Sequence, residues 1–85
     1  MTARDPWVDQ EIESVRRILA AVSGHLSPWR VDGVEELLRN DEPQEALLGI
    51  AWDLGPLRDQ LPEHVVRLIR ELAGHTDGVH PAFQR

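Results

Sequence analysis

Apolar positions along this chain fall into four groups spaced three and four residues apart, and each group opens at a proline. The first runs Val8, Ile12, Val15, Leu19 and Val22, with Ile18 widening the stripe. At 3.6 residues per turn that spacing returns every side chain to one side of an α-helix. Asp9, Glu11, Glu13, Arg16 and Arg17 fill the other faces, acids first and bases later, as the helix dipole favours. Asp5-Pro6 starts this helix, since an aspartate can accept from the free N–H groups and proline loses nothing at the first helical position. Ser23-Gly24 ends it.

Ser27-Pro28 repeats the start signal for a second helix over about Trp29 to Arg39, with Val31, Val34, Leu37 and Leu38 inward. Gly33 weakens it by about 1 kcal/mol relative to alanine. Asn40 is the predicted stop, because asparagine tolerates the left-handed conformation. Asp41-Glu42-Pro43 opens the third helix, from Gln44 to Leu54. Its Ala46, Leu47, Leu48, Ile50, Ala51, Trp52 and Leu54 cover most of the circumference, which predicts the central, most buried element with Trp52 in the core. Gly55-Pro56 breaks it, and Leu57 to Gln60 read as a turn or short helical extension. Leu61-Pro62-Glu63 opens the last helix, with Val65, Leu68, Ile69 and Leu72 as its stripe and Gly74 at its C-terminal cap. No stretch alternates with period two. The fold class that follows is all-α: a small four-helix antiparallel bundle or orthogonal array. Residues 1–74 form the single helical domain. Residues 75–85 lack any period and are expected to be a flexible C-terminal tail, from which Phe83 could dock back.

A chain of 85 residues has room for one core. It hides only about 60–65% of its unfolded surface, so a partner or a second copy would raise a thin stability margin. There is no cysteine, hence neither a disulfide framework nor a thiolate metal site. The longest apolar run, Ala46 to Trp52, is seven residues, against about twenty for a membrane-spanning helix. Met1 to Pro6 have neither the order of a signal peptide nor an acylation motif, so the expected location is the cytoplasm.

Charge adds a direction. Fifteen acids against nine arginines give −6, which repels phosphate backbones and steers toward basic surfaces. The excess is concentrated: from Asp32 to Asp53 seven acids face one arginine, Arg39. Asp32, Glu35 and Glu36 can line one exposed side of the second helix, with Asp41, Glu42 and Glu45 at the following junction. Such a band is either a solvated face or a docking surface for a cationic partner. Trp7 and Trp29 each follow a helix-starting proline and either cap the core or stand out as binding anchors.

Signals for chemistry are weak. His75 and His80 flank Asp77 but lie in the expected tail, without the supporting contacts a metal site needs. His25 and His64 have no nucleophile or orienting acid at a useful spacing. Glu35 and Glu36 are adjacent and diverge by about 100° on a helix. Asp32 and Glu36 share a face, but no pocket able to raise one pKa is expected on so small a scaffold. A helix-turn-helix drawn through helices two and three would read DNA with a helix that carries Glu45 and Asp53 and no arginine. The expectation is a protein without catalytic residues, metal or cofactor, which binds a protein rather than nucleic acid or membrane.

The stretch Val34-Glu-Glu-Leu-Leu-Arg-Asn-Asp-Glu-Pro-Gln-Glu-Ala-Leu-Leu-Gly-Ile-Ala-Trp-Asp-Leu54, then Leu61-Pro-Glu and Leu68-Ile-Arg-Glu-Leu-Ala73, resembles the small helical immunity proteins of the MafI type found beside polymorphic toxin genes in bacteria. Glu42-Pro43 followed by Glu45-Ala46-Leu47 is its most specific part, and Asp41 stands where many members have glycine. The resemblance covers about Val34 to Ala73. It implies a protein that acts by binding and occluding a cognate toxin, often a nuclease, with no catalytic residue to carry over. The acidic surface would then imitate a polyanionic substrate or pair with a basic cleft. The alternative is a helical structural or regulatory module, acting as a homodimer or as a subunit of a larger assembly.

Overall fold

The computed structural model describes residues 5–85, so the reading of Met1 to Arg4 lies outside the described residues. Four helices follow in order: α1 (Pro6–Val22), α2 (Pro28–Arg39), α3 (Pro43–Leu54) and α4 (Glu63–Ala73). Short 3₁₀ turns occupy Ser23–His25, Gly55–Gln60 and Pro81–Phe83, and the described residues contain no strand. The all-α reading therefore holds. Two of the start signals act as read. The Asp5 carboxylate accepts from the Trp7 N–H at 2.9 Å, and Ser27 Oγ accepts from the Arg30 N–H at 3.3 Å. Pro6 and Pro28 supply the pre-set φ behind them.

The link from α2 to α3 differs from the prediction by one residue. Asn40 keeps φ −94°, and its N–H still reaches Glu36 O at 3.1 Å, so the last turn persists through it. The left-handed residue is Asp41, at φ 60°. Its N–H donates to Leu38 O at 3.2 Å and the Glu42 N–H to Leu37 O at 2.9 Å, the paired bonds of a Schellman turn. Glu42 then precedes α3 without any side-chain cap. The third start signal works through the turn and Pro43, not through an acidic cap.

Polar ties show the direction of each helix. Arg30 near the start of α2 forms a two-pronged ion pair with Asp53 near the end of α3, Nε to Oδ2 at 2.6 Å and Nη2 to Oδ1 at 3.3 Å. At the other end of α3, Gln44 Nε2 donates to Glu11 Oε1 of α1 at 2.5 Å and to Leu72 O of α4 at 3.1 Å. The start of α3 thus lies by the first half of α1 and the end of α4, and its end lies by the start of α2. Chain direction alternates from helix to helix.

The core is one cluster. Ile12, Val15, Ile18, Leu19 and Val22 of α1 meet Val34 and Leu38 of α2 and Val65, Val66, Ile69 and Ala73 of α4 around Ala46, Leu47, Ile50, Ala51 and Leu54 of α3. The third helix is central, as its composition predicts. Trp52 is not in the core, however: it is 52% exposed. The neighbouring helices cover the side of α3 that carries 46, 47, 50, 51 and 54, and position 52 falls outside that side. In α2, by contrast, a Cβ added at Gly33 would meet nothing within 4 Å. Gly33→Ala is expected to stabilise the fold by about 0.5–1 kcal/mol through helix propensity alone. Urea denaturation checks this, and a lower midpoint would show that Gly33 has a packing role.

The segment expected as a tail is packed. Val79 is 3% exposed and Phe83 fully buried, and both belong to the core cluster. Trp52 Nε1 donates to Gly78 O at 2.6 Å, and its ring meets the His80 ring edge-on at 4.9 Å. His80 Nδ1 accepts from the Ala82 N–H at 3.0 Å and so caps the last 3₁₀ turn. The His80 ring lies so close over Gly55 that a Cβ there would overlap it. Gly74 serves the same end, since a Cβ would overlap the Arg85 side chain. Neither glycine adopts positive φ, so both are needed for close approach rather than for a left-handed cap. The packed unit extends past residue 74 because these two gaps and the Trp52 indole receive the returning chain.

Candidate protein-binding surface

Successive residues of a helix are 100° apart, so Trp29, Asp32 and Glu36 of α2 point the same way. All three are exposed, Trp29 to 68%. The ion pairs of the described residues include Arg17–Glu13, Arg30–Asp53 and Arg58–Asp59. Asp32, Glu35, Glu36, Glu42 and Glu45 take part in none. The Arg30 guanidinium lies 4.8 Å from the Trp29 ring centroid while gripping Asp53, which fixes the base of the indole without hiding its outer face. Trp29, Asp32 and Glu36 therefore present an aromatic surface and two unneutralised carboxylates on one rigid helix.

One acid of the second helix departs from the exposed side expected for it, while the junction acids lie where the sequence places them. Glu35 is half-buried and turns toward α1, where it lines a recess of about 260 Å³ with Arg16, Leu19, Ala20, Ser23 and Val31. Asp41, Glu42 and Glu45 are exposed at the α2–α3 turn, at the far end of α2 from Trp29. A helix of 12 residues makes that separation roughly 18 Å. Part of this second group has a local reason, because carboxylates favour the N-terminal end of α3. Asp53 leaves the acidic set altogether, neutralised by Arg30. Arg30 lies two residues before the acidic stretch, and nothing in the sequence pairs two positions so far apart.

Trp7 is 75% exposed but does not join this surface. It sits beside Gln10, Glu11, Ser14 and Leu72 around a recess of about 200 Å³, at the end of the bundle where α3 begins. Trp29 is at the opposite end. Neither tryptophan caps the core.

The remaining candidates are placed as follows. His25 and His64 are exposed. His75 meets Arg85 through Nε2 and Nη1 at 2.9 Å, and His80 is engaged by Trp52 and Ala82. Among the described residues, no three His, Cys, Asp or Glu side chains gather to hold a metal ion. The helix that would read DNA, α3, is the one buried by its neighbours on most of its surface. None of the helices described is long and apolar enough to cross a membrane.

Compared with family models, with curated proteins and with solved structures, the chain matches none. Fold and surface together define a class only: a small all-α bundle with segregated surface charge and exposed tryptophans.

Proposed function

We propose that this chain is a non-catalytic protein-binding domain of the cytoplasm, an immunity protein that binds and neutralises a basic bacterial toxin. The observation that carries the reading is the α2 face, where Trp29 stands 68% exposed beside the unpaired Asp32 and Glu36. An exposed indole on a rigid helix loses little entropy on binding and buries a large apolar area, which is why tryptophan dominates interface hot spots. The carboxylates around it attract a cationic partner and orient its approach. The resemblance of Val34–Ala73 to MafI-type proteins supplies the kind of partner: a toxin domain, often a nuclease, whose basic cleft accepts polyanions.

A tagged pull-down from the native host, read by mass spectrometry, tests the reading directly. Its expected yield is a stoichiometric basic protein encoded beside this one; recovery of the bait alone counts against it. With that partner in hand, Trp29→Ala is expected to weaken binding by about 2 kcal/mol, roughly thirtyfold. Asp32→Lys with Glu36→Lys should slow association and flatten its salt dependence. Thermal melting should hardly move, since all three side chains are exposed. Unchanged affinity in both variants would remove α2 as the binding face.

One observation favours a homodimeric module as the second reading. The recess between α1 and α2 has an apolar floor of Leu19, Ala20 and Val31, with Arg16 and Glu35 also lining it. Opposite charges at one recess suit a twofold contact, in which each copy supplies both members of a pair. Sedimentation across a concentration series separates the readings, because only the module dimerises without a toxin.

A further inference from the structure

Three of the nine arginines converge on one place in a chain of net charge −6. Arg67 and Arg70 of α4 and Arg85 line a recess of about 320 Å³, shared with Glu71. Like charges are normally dispersed or matched with carboxylates, yet neither Arg67 nor Arg70 has an ion-pair or hydrogen-bond partner through its side chain among the described residues. Arg70 Nε is moreover buried with nothing to accept its hydrogen. A buried donor without an acceptor is rare in folded proteins, and it means that no protein group ties down the Arg70 guanidinium. Among the side chains that line the recess, Glu71 contributes one negative charge against three positive ones.

The third arginine is brought there by construction. The Arg85 N–H donates to Gly74 O at 3.2 Å, and its Nη1 lies 2.9 Å from His75 Nε2. A side chain at position 74 would displace its stem. Burial of Val79 and Phe83 holds the returning segment against α4, so the recess exists only while that segment is docked. None of this touches the acidic α2 face.

We propose that this recess is a binding site for a tetrahedral oxyanion, the phosphate group of a small molecule or free phosphate. Guanidinium groups present paired N–H donors that match phosphate oxygens, and their charge does not titrate away. Three of them reaching the recess from different chain positions suit a multiply charged tetrahedral anion better than a planar, singly charged carboxylate.

The test is a nitrogen–proton NMR titration of the full chain at constant ionic strength, with inorganic phosphate, glycerol phosphate, acetate and chloride in parallel. The expected result is saturable movement of the Gly74, His75 and Arg85 amides with phosphate or glycerol phosphate at millimolar concentration or below. Acetate and chloride should leave those amides in place. Saturation by both phosphates identifies the site as one for a phosphate monoester, and saturation by inorganic phosphate alone identifies the free ion. Arg67→Gln with Arg85→Gln, two exposed positions, is expected to weaken that binding at least tenfold while leaving the spectrum of a folded bundle. Movement that never saturates, that chloride reproduces, or that survives in the double variant overturns the proposal.

Discussion

Truncating Phe83 to alanine is expected to lower the stability of the whole bundle by about 3–5 kcal/mol, the range for large aromatic side chains removed from a core. Phe83 is fully buried in the same cluster as Leu47 and Ile50, although it lies two residues from the last position. Its removal leaves a cavity beneath the 3₁₀ turn Pro81–Phe83 and frees the segment that Trp52 and His80 hold. Small domains have only about 5–15 kcal/mol in total, so the variant should melt far lower, by roughly 4–8 °C for each kcal/mol lost. Gln84→Ala, at the exposed neighbouring position, should melt like the parent. Trp52 reports on the same event: once Gly78 O no longer accepts from its indole, its fluorescence should shift at denaturant concentrations where the parent is still folded. If Phe83→Ala melts with the parent, the C-terminal segment is an appendage and the recess built by Arg85 loses its support.

Leu47→Ala should cost about 2–5 kcal/mol by the same cavity argument. Leu47 is completely buried on α3, which packs against α1, α2 and α4. A void at that position removes contacts from several helices at once, and the surrounding side chains can close it only in part. Urea denaturation at constant protein concentration measures the effect. A midpoint within error of the parent would show that α3 is not the centre of the bundle. The two variants also separate the two parts of the core. Leu47→Ala should destabilise the packing of all four helices, whereas Phe83→Ala should first release the residues after Gly74.

Much of the scaffold was legible because local chemistry and helical period agree. Proline at each start, Ser27 and Asp5 as caps, and apolar residues at three and four spacing led to the four helices within a residue or two of their ends. The candidate surface was legible only as a list of acids. That Trp29, Asp32 and Glu36 share a face follows from 100° per residue, but that Glu35 turns into the α1 recess and Asp53 is neutralised by Arg30 does not.

Contacts between distant parts of the chain account for the differences. The apolar circumference of α3 places Trp52 in the core, yet only helices that actually pack against it can cover it, and position 52 is left to the 78–80 segment. The lack of any period over residues 75–85 predicts a free tail, although burial needs no period when one aromatic side chain finds a gap. Gly55 reads as a helix breaker and Gly74 as a helix cap; Gly74 does cap α4, but both also admit a side chain closely, His80 and Arg85 respectively.

By itself the sequence determined the number, order and approximate limits of the helices, the central place of α3 and the segregation of negative charge. These depend on neighbours within one or two turns, and such interactions are written in the order of residues. Packing of the closed bundle sets which carboxylates stay unpaired, which tryptophans face outward, and that Arg67, Arg70 and Arg85 meet. Those outcomes depend on contacts between residues far apart in the chain, which exist only once the bundle has closed.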